Sequence, residues 1–325
     1  MRRTVLGIAA AAAALAVLSP PALAQAEDNW PTKPVRIVVG FPPGGANDIL
    51  ARLLATKLQE RFNQTFIVEN KPGANAIISA EFAARQPADG HTLLVAASGA
   101  MVINPALYAT LPYDPVKDFR TVALLATFPL IVTTHPDVPA KNIRELVQWV
   151  NSQPVPVNYG SGSSTFQLAT ELLARETGMK VNHVPYKGSA ATATAVMANE
   201  VKFTVIDSPP VAAQIKAGRL NALAVTTPKR SSSFPELPTV AESGVPGFDA
   251  TIWTSLVAPR GTPDSVVRRL QASIDEFFKQ PDVQQRYATL GLETGSTDTA
   301  ALDKRIAEET ARWTKLAREA NIKAN

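Results

Sequence analysis

The stretch VRIVVGFPPGGANDILARLLATKLQERF, residues 35–62, decides the fold. Val35, Ile37, Val38 and Val39 form a short β-branched apolar run, which predicts a buried strand. Gly40-Phe41-Pro42-Pro43-Gly44-Gly45 ends it, because two prolines cannot donate to a ladder and the glycines free the backbone. From Asn47 the spacing turns helical, with Ile49, Leu50, Leu53, Leu54, Leu58 and Phe62 on one face. A strand, a glycine-rich turn and a helix start leave bare N–H groups and a positive dipole end at the strand's carboxyl edge. That is a generic anion site. No Lys-Ser/Thr follows the glycines, so it is not a Walker loop, and Gly40 and Gly44-Gly45 lack the dinucleotide spacing. An ordinary strand-to-helix turn accounts for the same residues without a ligand.

Outward from this stretch the strand-then-helix pattern recurs. Residues 65–69 predict a second strand, 77–85 a helix, and 92–97 a third strand ending in Ser98-Gly99-Ala100. Such alternation implies an α/β fold with a largely parallel sheet. Residues 122–133 are a long apolar run broken by Pro129, suited to carry the chain from one domain into another. A helix over 142–150 opens with a capping box, Asn142 with Glu145. Strands are then expected at 155–159, 181–184, 201–206 and 220–226, with helices at 166–176, 190–198 and 211–217. The segment 228–249 is irregular, and 252–258 is a strand returning to the first domain. Helices over 263–279 and 300–320 follow, with 280–299 as their connector.

The head of the chain is a targeting segment. Arg2-Arg3 form a basic start, Val5 to Leu18 an apolar core, and Ala22-Leu23-Ala24 a small-x-small cleavage site. Cleavage near Ala24 predicts an exported soluble protein. The formal charge of +4 falls to +2 once Arg2 and Arg3 are gone. Lys and Arg are scattered rather than striped, which argues against nucleic acid. No Cys is present, which excludes disulfides, thiolate metal sites and a lipidated cysteine anchor. The mature length suits two domains.

Several predicted strands end in Gly/Ser-rich turns that open helices: residues 40–45, 98–100, 160–165 and 188–189. In open α/β sheets ligands sit at the carboxyl ends of strands, so these turns predict a cleft lined by neutral donors. Each N–H donating to a ligand carboxylate contributes about 1.5–3 kcal/mol. Catalytic signals are sparse. His91, His135 and His183 have no metal-ligand spacing, and Ser161 and Ser163 lie in a turn without the G-x-S-x-G elbow. Ser164 with Gln167 fits a capping box. Asp48 reads either as a helix-dipole partner or as an acceptor for a ligand hydroxyl or ammonium. Asp207 at a strand end is equally two-sided. Lys187 could pair with an anionic ligand or stand solvated in its loop. Tyr186, Phe41 and Phe128 suit apolar cleft walls.

The chain resembles the substrate-binding proteins of tripartite tricarboxylate transporters, the Bug family of periplasmic solute receptors. The resemblance covers essentially all of the mature chain. Its motifs are Pro42-Pro43-Gly44-Gly45 with Asp48-Ile49-Leu50-Ala51-Arg52, Pro72-Gly73-Ala74, and Asp89-Gly90-His91-Thr92-Leu93-Leu94. Val184-Pro185-Tyr186-Lys187-Gly188, Leu223-Ala224-Val225-Thr226 and Leu237-Pro238-Thr239-Val240-Ala241-Glu242-Ser243-Gly244 complete it. The resemblance implies a two-domain periplasmic-binding-protein-like fold of type II, with a ligand cleft between the domains. The domains are expected over residues 25–125 plus 251–325, and 126–250. It implies a carboxylate held by backbone groups and water from the Pro-Pro-Gly-Gly loop and the Val-Pro-Tyr-Lys-Gly side. It places Asp48 where binders of amino acids or amides use a carboxylate. Two departures stand out: Asn75 and Ala76 replace the usual glycines after Pro-Gly-Ala, and Gln167-Leu168 replaces His-Leu.

The turns and the resemblance together give an expected ligand-binding set. It comprises Phe41, Pro43, Gly44, Gly45, Asp48, Ser98, Ser163, Ser164, Thr165, Pro185, Tyr186, Lys187, Gly188 and Asp207. The expected function is a periplasmic receptor, not an enzyme, that delivers a small mono- or dicarboxylate to the membrane subunits of its transporter. A monomer without metal or cofactor is expected. Two alternatives share parts of this sequence evidence: a receptor signalling to a sensor kinase, and an exported hydrolase using Ser161 or Ser163.

Overall fold

The computed structural model describes residues 29–319. The expected signal segment, with its cleavage near Ala24, lies outside the described residues. The deciding stretch forms β1 (Val35–Val39) and α1 (Ala46–Phe62), whose apolar residues Leu50, Leu54 and Leu58 are buried. β1 is flanked by β2 (Phe66–Asn70) and β3 (Thr92–Ala97), parallel to both, with α2 (Ile77–Ala84) between those two in sequence. β3 runs into a π-helical turn, Gly99–Ile103, and the short α3 (Asn104–Leu107).

Pro129 divides the long apolar run into β4 (Phe119–Phe128) and β5 (Leu130–Thr134). Proline has no N–H to offer a ladder, and here the chain changes sheets: β4 belongs to the first, β5 to the second. After α4 (Ile143–Ser152) come β6 (Val157–Ser161), α5 (Ser164–Thr177), β7 (Val181–Pro185) and α6 (Ser189–Met197). Next are β8 (Phe203–Asp207), α7 (Pro209–Lys216) and β9 (Asn221–Val225). β10 (Ile252–Pro259), buried at every residue, re-enters the first sheet. α8 (Asp264–Lys279), α9 (Pro281–Leu290), β11 (Glu293–Ser296) and α10 (Thr299–Glu319) complete the described chain.

The first sheet has the order β11-β4-β10-β3-β1-β2 and the second β7-β6-β8-β5-β9. Neither is the largely parallel sheet expected. β10 runs antiparallel to both β3 and β4, β11 is antiparallel to β4, and β5 is antiparallel to β8 and β9. The strands that enter a sheet at a crossover, β10 in the first and β5 in the second, run against its βαβ units, whereas the strands that leave, β4 and β9, run with them. Thr226, fully buried, ties the two crossings together. Its Oγ1 accepts from Leu130 N–H at 3.0 Å and lies 3.1 Å from the Ala250 carbonyl as donor.

The connector 280–299 is more ordered than its sequence suggests. Pro281 reads as a breaker, yet it occupies the first turn of α9, where its missing N–H costs nothing. β11 is largely exposed and has no apolar alternation to announce it. The α4 capping box is as predicted: Glu145 N–H donates to Asn142 Oδ1 at 2.9 Å. The one assigned to Ser164 is displaced by a residue. Ser163 is the N-cap of α5, accepting from Phe166 N–H at 3.4 Å.

Candidate ligand cleft

A narrow cavity lies where the carboxyl ends of strands from both sheets meet. Gly45, Ala46 and Asn47 from the start of α1 face Gly162, Ser163 and Thr165 across it. Ser189 at the start of α6 and Asp207 at the end of β8 add polar groups, and Phe41, Phe128, Phe166 and Ile252 make apolar walls. A second, wider and more open pocket shares Phe41, Pro42 and Gly162 with the first and is bounded by residues 72–76, Tyr186, Lys187 and Gly188.

Two helices that start at this cleft have glycine N-caps and no side-chain cap: α1 at Gly45 and α6 at Gly188. Such ends carry orphan N–H groups and the positive end of the macrodipole, which favours an anion. Gly188 adopts φ 85°, a conformation that L side chains rarely take. A Cβ on Gly162 would collide with the Gly188 backbone, so these two turns need glycine to approach each other. Among the residues lining the inner cavity, Asp207 is the single ionisable one.

Asp207 is buried, and its Oδ2 accepts from Ala46 N–H at 3.1 Å, a bond from the second sheet to the α1 start. Ser189 also hydrogen-bonds this carboxyl, whereas Oδ1 has no partner. Burial pushes the Asp207 carboxyl above its ordinary range against those hydrogen bonds. Asn75 makes another link across the cleft. Its Oδ1 accepts from Ser164 N–H at 2.9 Å and its Nδ2 donates to the Tyr108 hydroxyl at 2.8 Å. Ala74, Asn75 and Ala76 all have positive φ, at 45°, 53° and 69°, so the turn keeps a left-handed backbone without glycine.

The predicted set divides three ways. Phe41, Gly45, Ser98, Ser163, Thr165 and Asp207 line the inner cavity. Tyr186, Lys187 and Gly188 line the outer pocket. Pro43, Gly44, Asp48, Ser164 and Pro185 line neither. Pro43 and Pro185 are exposed, and Pro42 takes the cavity position instead. The Ser164 N–H is held by Asn75. Asp48 is 3 % exposed and saturated by its own neighbourhood. Its carboxylate accepts from Gly44 N–H at 3.1 Å, Arg52 Nε at 3.1 Å and Asn70 Nδ2 at 2.9 Å.

Sequence reasoning missed Asn47, Trp253 and Thr254 at the inner cavity, and Ser189, in a turn predicted to line the cleft, stands outside the expected set. Thr254 donates to Asn47 Oδ1 at 2.8 Å, which leaves the Asn47 Nδ2 as the donor end of that amide. The β10 residues reach the cavity from some 200 positions downstream of α1, a proximity that no local pattern announces. The hydrolase alternative has a partial counterpart: Ser161 Oγ stands 2.7 Å from His183 Nε2. Ser161 is buried and lines neither cleft pocket, so this pair lacks a route to a substrate there. Burial pushes His183 below its ordinary value, with Glu171 opposing. Among the described residues, no cluster of three His, Asp or Glu could hold a metal ion.

Residues 50–322 match the family model described as the tripartite tricarboxylate transporter family receptor. BugT of Bordetella pertussis is 32 % identical over 299 residues, covering 91 % of this chain and 92 % of its own length. An R. palustris protein solved with adipate superposes at a TM-score of 0.86 with 34 % identity, covering 90 % of this chain and 99 % of the other. MatC from Rhodopseudomonas palustris, solved with bound malate, gives a TM-score of 0.83 at 30 % identity, covering 88 % and 99 %.

Proposed function

The chain belongs to the tripartite tricarboxylate transporter receptor family, the Bug group of solute receptors, and from that premise we propose that it captures a small mono- or dicarboxylate and hands it to the membrane subunits of such a transporter. Members and structural neighbours of this family are binding receptors, not enzymes. The observation that carries the carboxylate reading is the inner cavity: two glycine-capped helix starts border the cleft, its walls are aromatic and aliphatic, and no Lys or Arg lines it. Neutral N–H donors suit one carboxylate, and apolar walls suit a short carbon chain. A tricarboxylate or phosphate would call for an arginine clamp. The adipate and malate complexes of the two related proteins support the same class.

In this reading residues 25–125 with 251–325 form one domain and 126–250 the other, and the two close on the ligand. Phe41, Gly45, Ser98, Ser163, Thr165 and Asp207 form the inner site, with Tyr186, Lys187 and Gly188 at its mouth. The protein works as a periplasmic monomer, exported by cleavage near Ala24. A thermal-shift screen of the ligand-stripped mature protein against adipate, malate, other organic acids, amino acids and sugars tests the class. Saturation at 100 times Kd stabilises by about 2.7 kcal/mol, or at least several degrees for a chain this size. Shifts with acids that vanish for their methyl esters are expected, because the ester lacks the charge the helix starts favour. Shifts with sugars alone would overturn the assignment. Loss of uptake of the hit acid in a deletion strain tests delivery to the transporter.

A further inference from the structure

Asp207 poses a problem for a carboxylate receptor. An ionised aspartate in the inner cavity would repel the anion the helix starts attract, and no cation offsets it. In α5 and β6, which pack on β8, Glu171 is bonded to the Tyr159 hydroxyl and Arg175 lies in the exposed last turn. β5 (Leu130–Thr134), which pairs Leu130 with Asp207, has no ionisable residue, and neither does α6 (Ser189–Met197). The Gly291 turn that accepts from Ser208 is uncharged at Gly291 and Leu292. The one charge of α7 is Lys216 in its last turn. At the start of α1, Asp48 is bound to Gly44, Arg52 and Asn70. Lys187 lines the outer pocket and not the inner one.

The two carboxyl oxygens differ. Oδ2 accepts from Ala46 N–H at 3.1 Å, and Ser189 and the residue's own backbone N–H also bond the carboxyl. Oδ1 is shielded from water and has no hydrogen-bond partner. A buried carboxylate oxygen with neither partner nor counter-charge is costly, while a carboxylic acid at the same place is a neutral donor.

We propose that Asp207 works as a carboxylic acid, with its proton on Oδ1, and donates that proton in a hydrogen bond to the ligand's carboxylate, so that ligand affinity is linked to pH. Oδ2 keeps its bond to the α1 start while Oδ1 supplies what an arginine supplies elsewhere. No proton is transferred; the O–H stays on Asp207. Burial raises its proton affinity in the same direction. The inference rests on the carboxylate reading above.

One arm of the test needs no ligand. Unfolding of the mature wild type and of Asp207→Asn is followed in urea from about pH 3 to pH 8. A carboxyl raised on folding gives stability that is complete below its unfolded value of 3.8 and is lost as pH rises through the folded one. Relative to Asp207→Asn, the wild type therefore weakens with rising pH. A flat difference, or a wild type that strengthens with pH, means an ionised Asp207 and overturns the proposal.

The second arm is calorimetric titration with adipate, and with the strongest acid of the screen, for wild type, Asp207→Asn and Asp207→Ala. Wild-type affinity should fall by about tenfold per pH unit once Asp207 ionises, and the slope should vanish in Asp207→Asn, whose amide donates at every pH. Asp207→Ala should bind at least about tenfold more weakly than Asp207→Asn, because it offers no donor. Equal weakening of both variants overturns the donor role. So does a preference for amino acids whose affinity rises with pH, which would make Asp207 an ionised acceptor. If the first arm finds a neutral Asp207 but sugars are the sole ligands, the carboxylate reading has failed, and the donor role falls with it.

Discussion

At the scale of single residues, Asp48 and Asp207 start from similar sequence positions, beside a turn at a strand or helix end, and reach opposite states. Burial pushes the Asp48 carboxyl up, but hydrogen bonds from Arg52, Asn70 and Gly44 outweigh it and leave it below its ordinary value. Its contribution to stability is therefore present above the unfolded value of 3.8 and is lost as pH falls through the lowered folded one. Asp48→Asn keeps one acceptor and loses the charge, so unfolding in urea at pH 7 should show a loss of about 1–3 kcal/mol, discounted because Arg52 is half exposed. The gap should close in acid. Affinity for the hit acid should change less than threefold; a larger drop would bring Asp48 back into the site. In the local sequence the two aspartates differ by Arg52, four residues after Asp48, which has no counterpart beside Asp207. Arg52 supplies the opposite charge and Asn70 donates a further hydrogen bond, and the pairing of β1 with β2 is what brings Asn70 to Asp48.

At the scale of elements, turns were more legible than pairings. Glycine and proline announce where a strand must stop, so the ends of β1, β3, β6 and β8 were readable and with them most of the inner site. Pro129 likewise announced the crossover, because a proline inside an apolar run cannot remain in a central ladder. The antiparallel return of β10 was not readable in its direction, and Trp253 and Thr254 were missed with it. The crossover carries its own prediction. Thr226→Val keeps the shape of the side chain but removes the acceptor for Leu130 N–H and the donor to Ala250 O. Both groups lie in a buried region, so the cost should be about 1–3 kcal/mol in urea unfolding. A loss below about 0.5 kcal/mol would mean that water replaces the hydroxyl and that Thr226 does not fasten the crossings.

At the scale of the whole molecule, a few contacts cross the cleft between the two sheets' elements. Asp207 reaches Ala46, Asn75 reaches Ser164, and the turn at Pro42 packs on Gly188. Asn75 is the instructive one, since the departure from the family pattern was plain in the sequence while its reach to α5 was not. Its left-handed backbone, φ 53°, is one that glycine takes more easily, and its side chain spans from Tyr108 to the first turn of α5. Asn75→Gly thus relieves the backbone and removes a bond across the cleft. Global stability should change little, because the two effects oppose each other. The closed population should fall, since one hydrogen bond of about 0.5–1.5 kcal/mol no longer favours it. Apparent affinity falls by the same factor as the closed population, at most about 12-fold for that energy. Small-angle scattering of the ligand-free variant should give a larger radius of gyration than the wild type, and saturating adipate should bring the two together. Identical scattering and identical affinity would show that Asn75 merely caps α5 and that closure is set elsewhere. Asn75→Ala separates the two roles further: it loses the same bond but keeps a Cβ on a left-handed backbone, so it should match the glycine variant in affinity and fall below it in stability.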